Sequence, residues 1–428
     1  MKKLICFAFI ACAALAQAVS VSNVSARQRW PWNNLVDVSF DVDGTAGAAY
    51  SVEVRATCAN GKQELTARTL RTEPIAKTGA NALVWDFGTD YPNFRADDMK
   101  VSVLVTPFSD TTPVYLVIDV SGGVSATSYP VRYTTVNPVH TVGANDPCKT
   151  TEIWLKRVKA GGGTITGSNG WGYKGHTFKL TEDYYLGIFP VTQAQWEKVG
   201  SGLLEEKGYA HSFFTNPAYA ATRPVDNVGF WAVLGHDGYP DALAIPAGRD
   251  SFFARLKNKT GLANLFLPSA WQYQWAARAG DLTGDRPAGI VFRNKNNSMP
   301  AGQTAANRDA NWSEDYGTSY VDRYAPNAWG FYSMIGNVWE WTPTKGVADA
   351  DWGPNDVLPD DYKGLSPSKY NKYAQAMRQG GSWASELEQA RYYGASICNN
   401  CYCRTGTEAG IEGQAGFRIC LTIPNAAK

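Results

Sequence analysis

Cysteine is the residue type with the most chemistry to offer in this 428-residue chain. Eight are present, and three fall in one run, Cys398-Asn-Asn-Cys401-Tyr-Cys403. Thiolates at C-x-x-C-x-C spacing suit a soft metal ion, whereas in an oxidising compartment the same residues pair as disulfides. The others, Cys6, Cys12, Cys58, Cys148 and Cys420, are scattered. The four histidines, His140, His176, His211 and His236, lie apart with no paired spacing, so a histidine-built iron centre is not expected. No glycine-rich phosphate loop stands out. A Ser-His-Asp set or a carboxylate pair meets only in space, and spacing alone does not reveal one.

The compartment decides how the cysteines are read. The chain opens MKKLICFAFIACAALAQAVS. Lys2 and Lys3, an apolar run from Leu4 to Leu15, and Ala16-Gln17-Ala18 together spell a secretory signal peptide over residues 1–18. Export is therefore expected, to a periplasm, a cell surface or the medium. Cys6 and Cys12 leave with the leader. The remaining six, Cys58, Cys148, Cys398, Cys401, Cys403 and Cys420, are expected to form disulfides, with the pairing open. No later stretch is long enough for a transmembrane helix. Forty basic against 39 acidic residues give a net charge of +1, which excludes a phosphate-neutralising surface and a nucleic-acid partner. Charged residues make up 18%, below the usual ~25%, while aromatics reach 13%; that composition favours a loop-rich, β-rich exported protein over a helical cytosolic one.

The elements that must position any site fall into two regions. Over residues 19–125 the segments VDVSFDVDG, YSVEVRATC, ALVWDFG, KVSVLVTPF and VYLVIDVSGG are read as strands bounded by turn residues. They predict an all-β sandwich of immunoglobulin-like type. Residues 126–149 read as a polar linker. From 150 to 425 Trp, Tyr, Gly and Asn become dense and regular strands scarce. Two helices are predicted there. Thr192 caps one and meets Gln195 at capping-box spacing; Ser269 caps the other, with Gln272 at its third position and Gly280 as the stop.

The motif order in this second region is specific. It runs YYLGIFPVTQAQWEKV, RPVDNVGFW, LPSAWQYQWAARAG, GNVWEWT, GGSW and GFRICL. This resembles the formylglycine-generating enzyme family, the sulfatase-modifying factors. The resemblance implies an α+β, irregular, loop-rich fold of C-type-lectin-like kind. It also implies Ca²⁺ held by Ser333, the carbonyls of Gly336 and Val338, and Glu340, with Ser333 standing where the family carries Asn or Asp. Glu340 has a second reading, as a buried carboxylate paired with Arg418. A further family Ca²⁺ site maps to Asn311, the Trp312 carbonyl and Asp315.

The family's aerobic enzymes carry two cysteines after GGSW, five residues apart, which hold copper and oxidise a protein cysteine with O₂. Counted from Gly380, those positions fall on Ser385 and Ala390. A hydroxyl is a poor ligand for Cu(I) and a methyl is none. Cys398 and Cys403 repeat the five-residue spacing 13 residues later; they are read as disulfide partners, with a metal clip or displaced catalytic thiols as alternatives. Copper is expected only if the chain is catalytically active, and no iron is expected. Two functions remain open: a binding module for a protein or glycan ligand, and an oxidase of the formylglycine-generating type.

Overall fold

The computed structural model describes residues 19–29, 33–160, 164–166, 177–205, 210–215, 217–218, 220–235, 249–279, 317–345, 357–359, 376–382, 395–398 and 414–424. The expected leader, residues 1–18, lies outside them. Among the described residues no helix is long and apolar enough to cross a membrane. The chain divides into two compact units, residues 1–108 and 109–428.

The first unit is built of antiparallel strands and one short helix. Strand β2 (Leu35–Asp43) lies between β1 (Ser20–Gln28) and β6 (Gly79–Asp86). Strand β3 (Ala49–Cys58) pairs with β4 (Gln63–Thr66), β5 (Ile75–Lys77) and β7 (Lys100–Pro107). Alternation sets the faces. In β2 the side chains of Val36, Val38, Phe40 and Val42 are buried, and the polar residues between them point outward. Trp85 is fully buried, and its Nε1 donates to Asp90 Oδ2 at 2.7 Å at the end of α1 (Phe87–Asp90).

The second unit begins earlier than the sequence suggested. The segment VYLVIDV forms β8 (Tyr115–Asp119), which pairs with β9 (Val131–Thr134) and β10 (Glu152–Val158) rather than with any strand of the first unit. The reason is its pattern. Tyr115, Leu116, Val117 and Ile118 are all buried, as in a central strand covered on both faces, and such a strand shows an apolar run instead of alternation. The linker expected at 126–149 is likewise structured: it contains β9 and α2 (Pro147–Thr150), with Cys148 and Lys149 buried. The full sheet runs β14 (Leu265–Phe266), β20 (Cys420–Thr422), β13 (Tyr184–Gly187), β10, β8, β9. A smaller sheet joins β11 (Thr164–Thr166), β12 (Thr177–Lys179) and β16 (Val357–Pro359). A third has the order β18 (Ala395–Cys398), β17 (Ala376–Gln379), β15 (Trp339–Lys345), β19 (Ala415–Gly416).

Besides α2, the described residues of this unit form four α-helices: α3 (Gln193–Val199), α4 (Phe230–Leu234), α5 (Phe252–Thr260) and α6 (Ala270–Arg278). Both predicted capping boxes form. Thr192 Oγ1 accepts from Gln195 N at 3.1 Å while Thr192 N donates to Gln195 Oε1 at 3.0 Å. Ser269 and Gln272 make the same exchange at 3.1 and 2.9 Å. Helix α6 ends one residue before the expected glycine, at Ala279 in the left-handed region with φ 47°. The core around it includes Tyr184, Leu186, Trp271, Tyr273, Trp275, Phe331 and Met334, all with 8% exposure or less.

Candidate functional site

Three motifs far apart in sequence meet at one buried point. Strand β15 carries Glu340 of GNVWEWT, the end of β17 carries the GG of GGSW, and Arg418 follows β19. Glu340 and Arg418 are both fully buried. Arg418 Nε donates to Glu340 Oε2 at 3.0 Å and Nη2 donates to Oε1 at 2.9 Å, a two-point pairing of planar groups. The rest of the guanidinium is also satisfied. Nη1 donates to the Gly187 carbonyl at 2.8 Å, and Nη2 to the carbonyls of Tyr332 at 2.8 Å and Ser333 at 3.4 Å. Tyr273 Oη donates to the Met334 carbonyl at 2.7 Å and lies 3.4 Å from Glu340 Oε1. Burial pushes the Glu340 carboxyl upward against the opposing pull of Arg418, and holds the Tyr273 phenol well above its usual range.

Two glycines let the backbones close around this pair. Gly380 has φ +90°, and a Cβ there would stand 2.5 Å from Tyr273 Oη and 2.9 Å from the Met334 carbonyl. Its own carbonyl accepts from Gly336 N at 2.8 Å. At Gly416 a Cβ would lie 2.4 Å from the Val225 carbonyl. Neighbouring motif residues lock the same frame. Ser382 Oγ donates to Gln414 Oε1 at 2.8 Å, and Trp341 Nε1 donates to the Val228 carbonyl at 2.9 Å. Asp226 of RPVDN is fully buried and accepts from Phe213 N and Ser212 Oγ, each at 2.7 Å. Desolvation pushes its carboxyl up to about 7, partly offset by those hydrogen bonds and by Arg223.

Of the expected Ca²⁺ ligands, Ser333, Gly336, Val338 and Glu340 lie on one segment, and two of them already have partners. Both Glu340 oxygens are taken by Arg418, a resident cation. The Ser333 hydroxyl donates to the Val321 carbonyl at 2.8 Å. Ca²⁺ needs six to eight oxygen ligands, and adding it beside a paired guanidinium would set like charges together. The second of the two readings of Glu340, pairing with Arg418, is therefore the one seen. Asn311, Trp312 and Asp315 lie outside the described residues.

The copper positions sit between β17 and β18. These strands are antiparallel, with Gln379 opposite Ala395 and Ala376 opposite Cys398. Ser385 and Ala390 fall in the segment that connects them and lie outside the described residues. Cys398 does not belong to that connection. It ends β18, three residues beyond Ala395, which at about 3.3 Å per residue is roughly 10 Å along the strand. Cys401 and Cys403 lie outside the described residues.

The disulfide expectation is corrected for the three cysteines whose side chains are described. Cys58, Cys148 and Cys420 are buried thiols, not half-cystines. Each lies in apolar surroundings and donates to a nearby acceptor: Gln63 Oε1 at 3.8 Å, the Val139 carbonyl at 3.9 Å and Gln272 Oε1 at 3.5 Å. Burial pushes the Cys148 thiol up to about 12, which leaves it without nucleophilic thiolate at neutral pH.

The fold also assembles a group that spacing hides. His140 Nδ1 lies 3.1 Å from Asp322 Oδ2, and Nε2 lies 3.1 Å from Tyr332 Oη. Lys149 Nζ donates to the same Asp322 oxygen at 2.7 Å, and Gly143 N donates to Oδ1 at 3.1 Å. The partners in each of these contacts are more than 170 positions apart. No local pattern could have announced them. His176 and His236 lie outside the described residues.

Comparison with known proteins bears on the same region. Residues 155–423 match the family model described as the sulfatase-modifying factor enzyme 1-like domain. A formylglycine-generating enzyme of Mycobacterium tuberculosis is 33% identical over 114 residues, covering 25% of this chain and 31% of that protein. The Mus musculus protein of the same name is 36% identical over 84 residues, covering 18% and 21%. The chain thus spans less than a third of the length of these curated relatives. A solved structure titled CarF aligns with a TM-score of 0.33 at 18% identity, covering 56% of this chain and 87% of that one.

Proposed function

The chain belongs to the sulfatase-modifying factor enzyme 1-like family, matched over residues 155–423, and from that premise we propose that it is an exported ligand-binding member without the family's oxidase chemistry. The observation that carries this reading is the content of one segment. The connection between β17 and β18 reads GGSWASELEQARYYG, with no cysteine and no histidine. Ser385 and Ala390 stand where thiolates would hold Cu(I), and neither offers a soft ligand. Cys398 belongs to β18 and not to the segment itself.

A binding role fits the remaining composition. Residues 384–415 carry Tyr392, Tyr393, Tyr402, Asn399, Asn400, two serines and four glycines. Tyrosine gives large, rigid, amphipathic contacts at low entropy cost, and Ser, Gly and Asn supply adaptable hydrogen bonds. The partner class is a protein or a glycan.

The test is direct. The purified chain is incubated with Cu(I), O₂ and a peptide bearing Cys-x-Pro-x-Arg, and the peptide is followed by mass spectrometry. No conversion of cysteine to aldehyde is expected. Turnover that disappears in Cys398→Ser or Cys403→Ser would establish the oxidase instead.

A further inference from the structure

We infer that Glu197, Glu205 and His211 form a divalent metal site of the Zn²⁺ class, separate from the motif-built frame. Glu197 projects from α3, Glu205 follows it, and His211 comes from the next loop. One ligand atom from each lies within 4.8 Å of the others. The imidazole Nδ1 is 3.4 Å from Glu197 Oε1 and 3.4 Å from Glu205 Oε1.

Those two equal distances carry the inference. They are long for N–H···O hydrogen bonds, which cluster at about 2.9–3.0 Å. They match the ligand-to-ligand edge of a tetrahedral zinc site, about 3.3–3.5 Å for bonds of about 2.0–2.2 Å. The supporting contacts hold the ligands in place. The His211 ring stacks on Trp196 at 24° and 6.4 Å between centroids, and Trp196 is fully buried. Glu205 Oε2 accepts from Gly202 N at 2.9 Å, which fixes the carboxylate while Oε1 faces the imidazole. This is the outer-shell support that orients metal ligands.

The donor set selects the metal class. One imidazole nitrogen with two carboxylates suits Zn²⁺ and its transition-metal neighbours, whereas Ca²⁺ and Mg²⁺ prefer all-oxygen shells. Side-chain exposures of 52% for Glu197, 44% for Glu205 and 14% for His211 give an ion access from solvent. Three protein ligands leave a position for water or an incoming group, the arrangement of an open site rather than a closed structural one.

The test uses the full chain, freed of metal by a chelator and titrated with Co²⁺ as a spectroscopic probe, followed by Zn²⁺ competition. One equivalent of Co²⁺ is expected to give visible ligand-field bands without a thiolate-to-metal charge-transfer band. His211→Ala and Glu205→Gln should each weaken binding at least tenfold, since loss of an outer-shell partner alone costs roughly 10–100-fold. Cys401→Ser should leave binding unchanged. Glu205 is exposed and His211 half-buried, and each variant is checked for the native far-UV spectrum, which Glu205→Gln should keep. The inference fails if no Co²⁺ binds, if a thiolate band dominates, or if His211→Ala binds as tightly as the native chain.

Discussion

The Glu340–Arg418 pair offers the sharpest test of how this domain is held together. Both groups are fully buried, so neither has water as an alternative partner. In Arg418→Met, Glu340 is left as an isolated buried carboxylate, which costs about 3–5 kcal/mol. The Gly187 and Tyr332 carbonyls, each now accepting at 2.8 Å, lose a donor as well, at roughly 1 kcal/mol or more apiece. Glu340→Gln leaves the guanidinium charged and unpaired, again at about 3–5 kcal/mol. The double variant removes both charges and keeps only the carbonyl losses, so about 2–3 kcal/mol is expected where additivity would demand twice that or more. Urea unfolding followed by tryptophan fluorescence reads the right unit, because 12 of the 15 tryptophans follow residue 108. A double variant as damaged as the sum of its singles would refute the pairing. So would an Arg418→Met cost below about 1 kcal/mol. The same assay tests the cation. A chelator should leave the native midpoint in place, and a drop that Ca²⁺ restores would mean that calcium rather than Arg418 satisfies Glu340.

Three other outcomes follow from the same geometry. Gly416→Ala should destabilise by about 1–3 kcal/mol through overpacking against the Val225 carbonyl, read as a lowered urea midpoint with an unchanged slope. Asp226, held at about 7 against an ordinary 3.8, binds a proton in the folded state that the unfolded chain has released; native stability should therefore fall as pH rises from about 4 through 7, by up to about 4 kcal/mol relative to Asp226→Asn, and parallel pH profiles for the two proteins would sink the idea. Cys58, Cys148 and Cys420 should resist a thiol reagent in the native protein and react in denaturant without any reductant; a count that needs reductant would show them oxidised.

How much of this was legible depended on the range over which each signal acts. Local signals read well. The capping boxes at Thr192 and Ser269 use residues three apart, and both form. The alternation in β2 set its buried face. The motifs GNVWEWT, GGSW and GFR could be ordered from sequence, and the pairing of Glu340 with Arg418 could be named as one of two readings. What failed was context. The segment 115–118 is covered on both faces, so its apolar run carried no mark of which unit it belonged to. Cysteine count and an export leader argued for disulfides, but the packing around Cys58, Cys148 and Cys420 buries each beside its own acceptor. His140, Asp322 and Tyr332 are joined only by the fold, across 182 and 192 positions.

The frame around Glu340 and Arg418 is held by contacts that can be named one by one. The segment between β17 and β18 is tied at its ends. The Gly380 carbonyl accepts from Gly336 N, Ser382 Oγ reaches Gln414, and Gln379 pairs with Ala395. The buried ion pair, the close approach at Gly380 and the clash-limited Gly416 hold the same frame. Loss of Glu340 or Arg418 alone removes a buried partner, and a larger residue at Gly416 creates a clash. Selection for stability then preserves the motifs whether or not the chemistry persists. A match carried by such residues reports the frame, and the residues at 385 and 390 must be read separately to assign an activity.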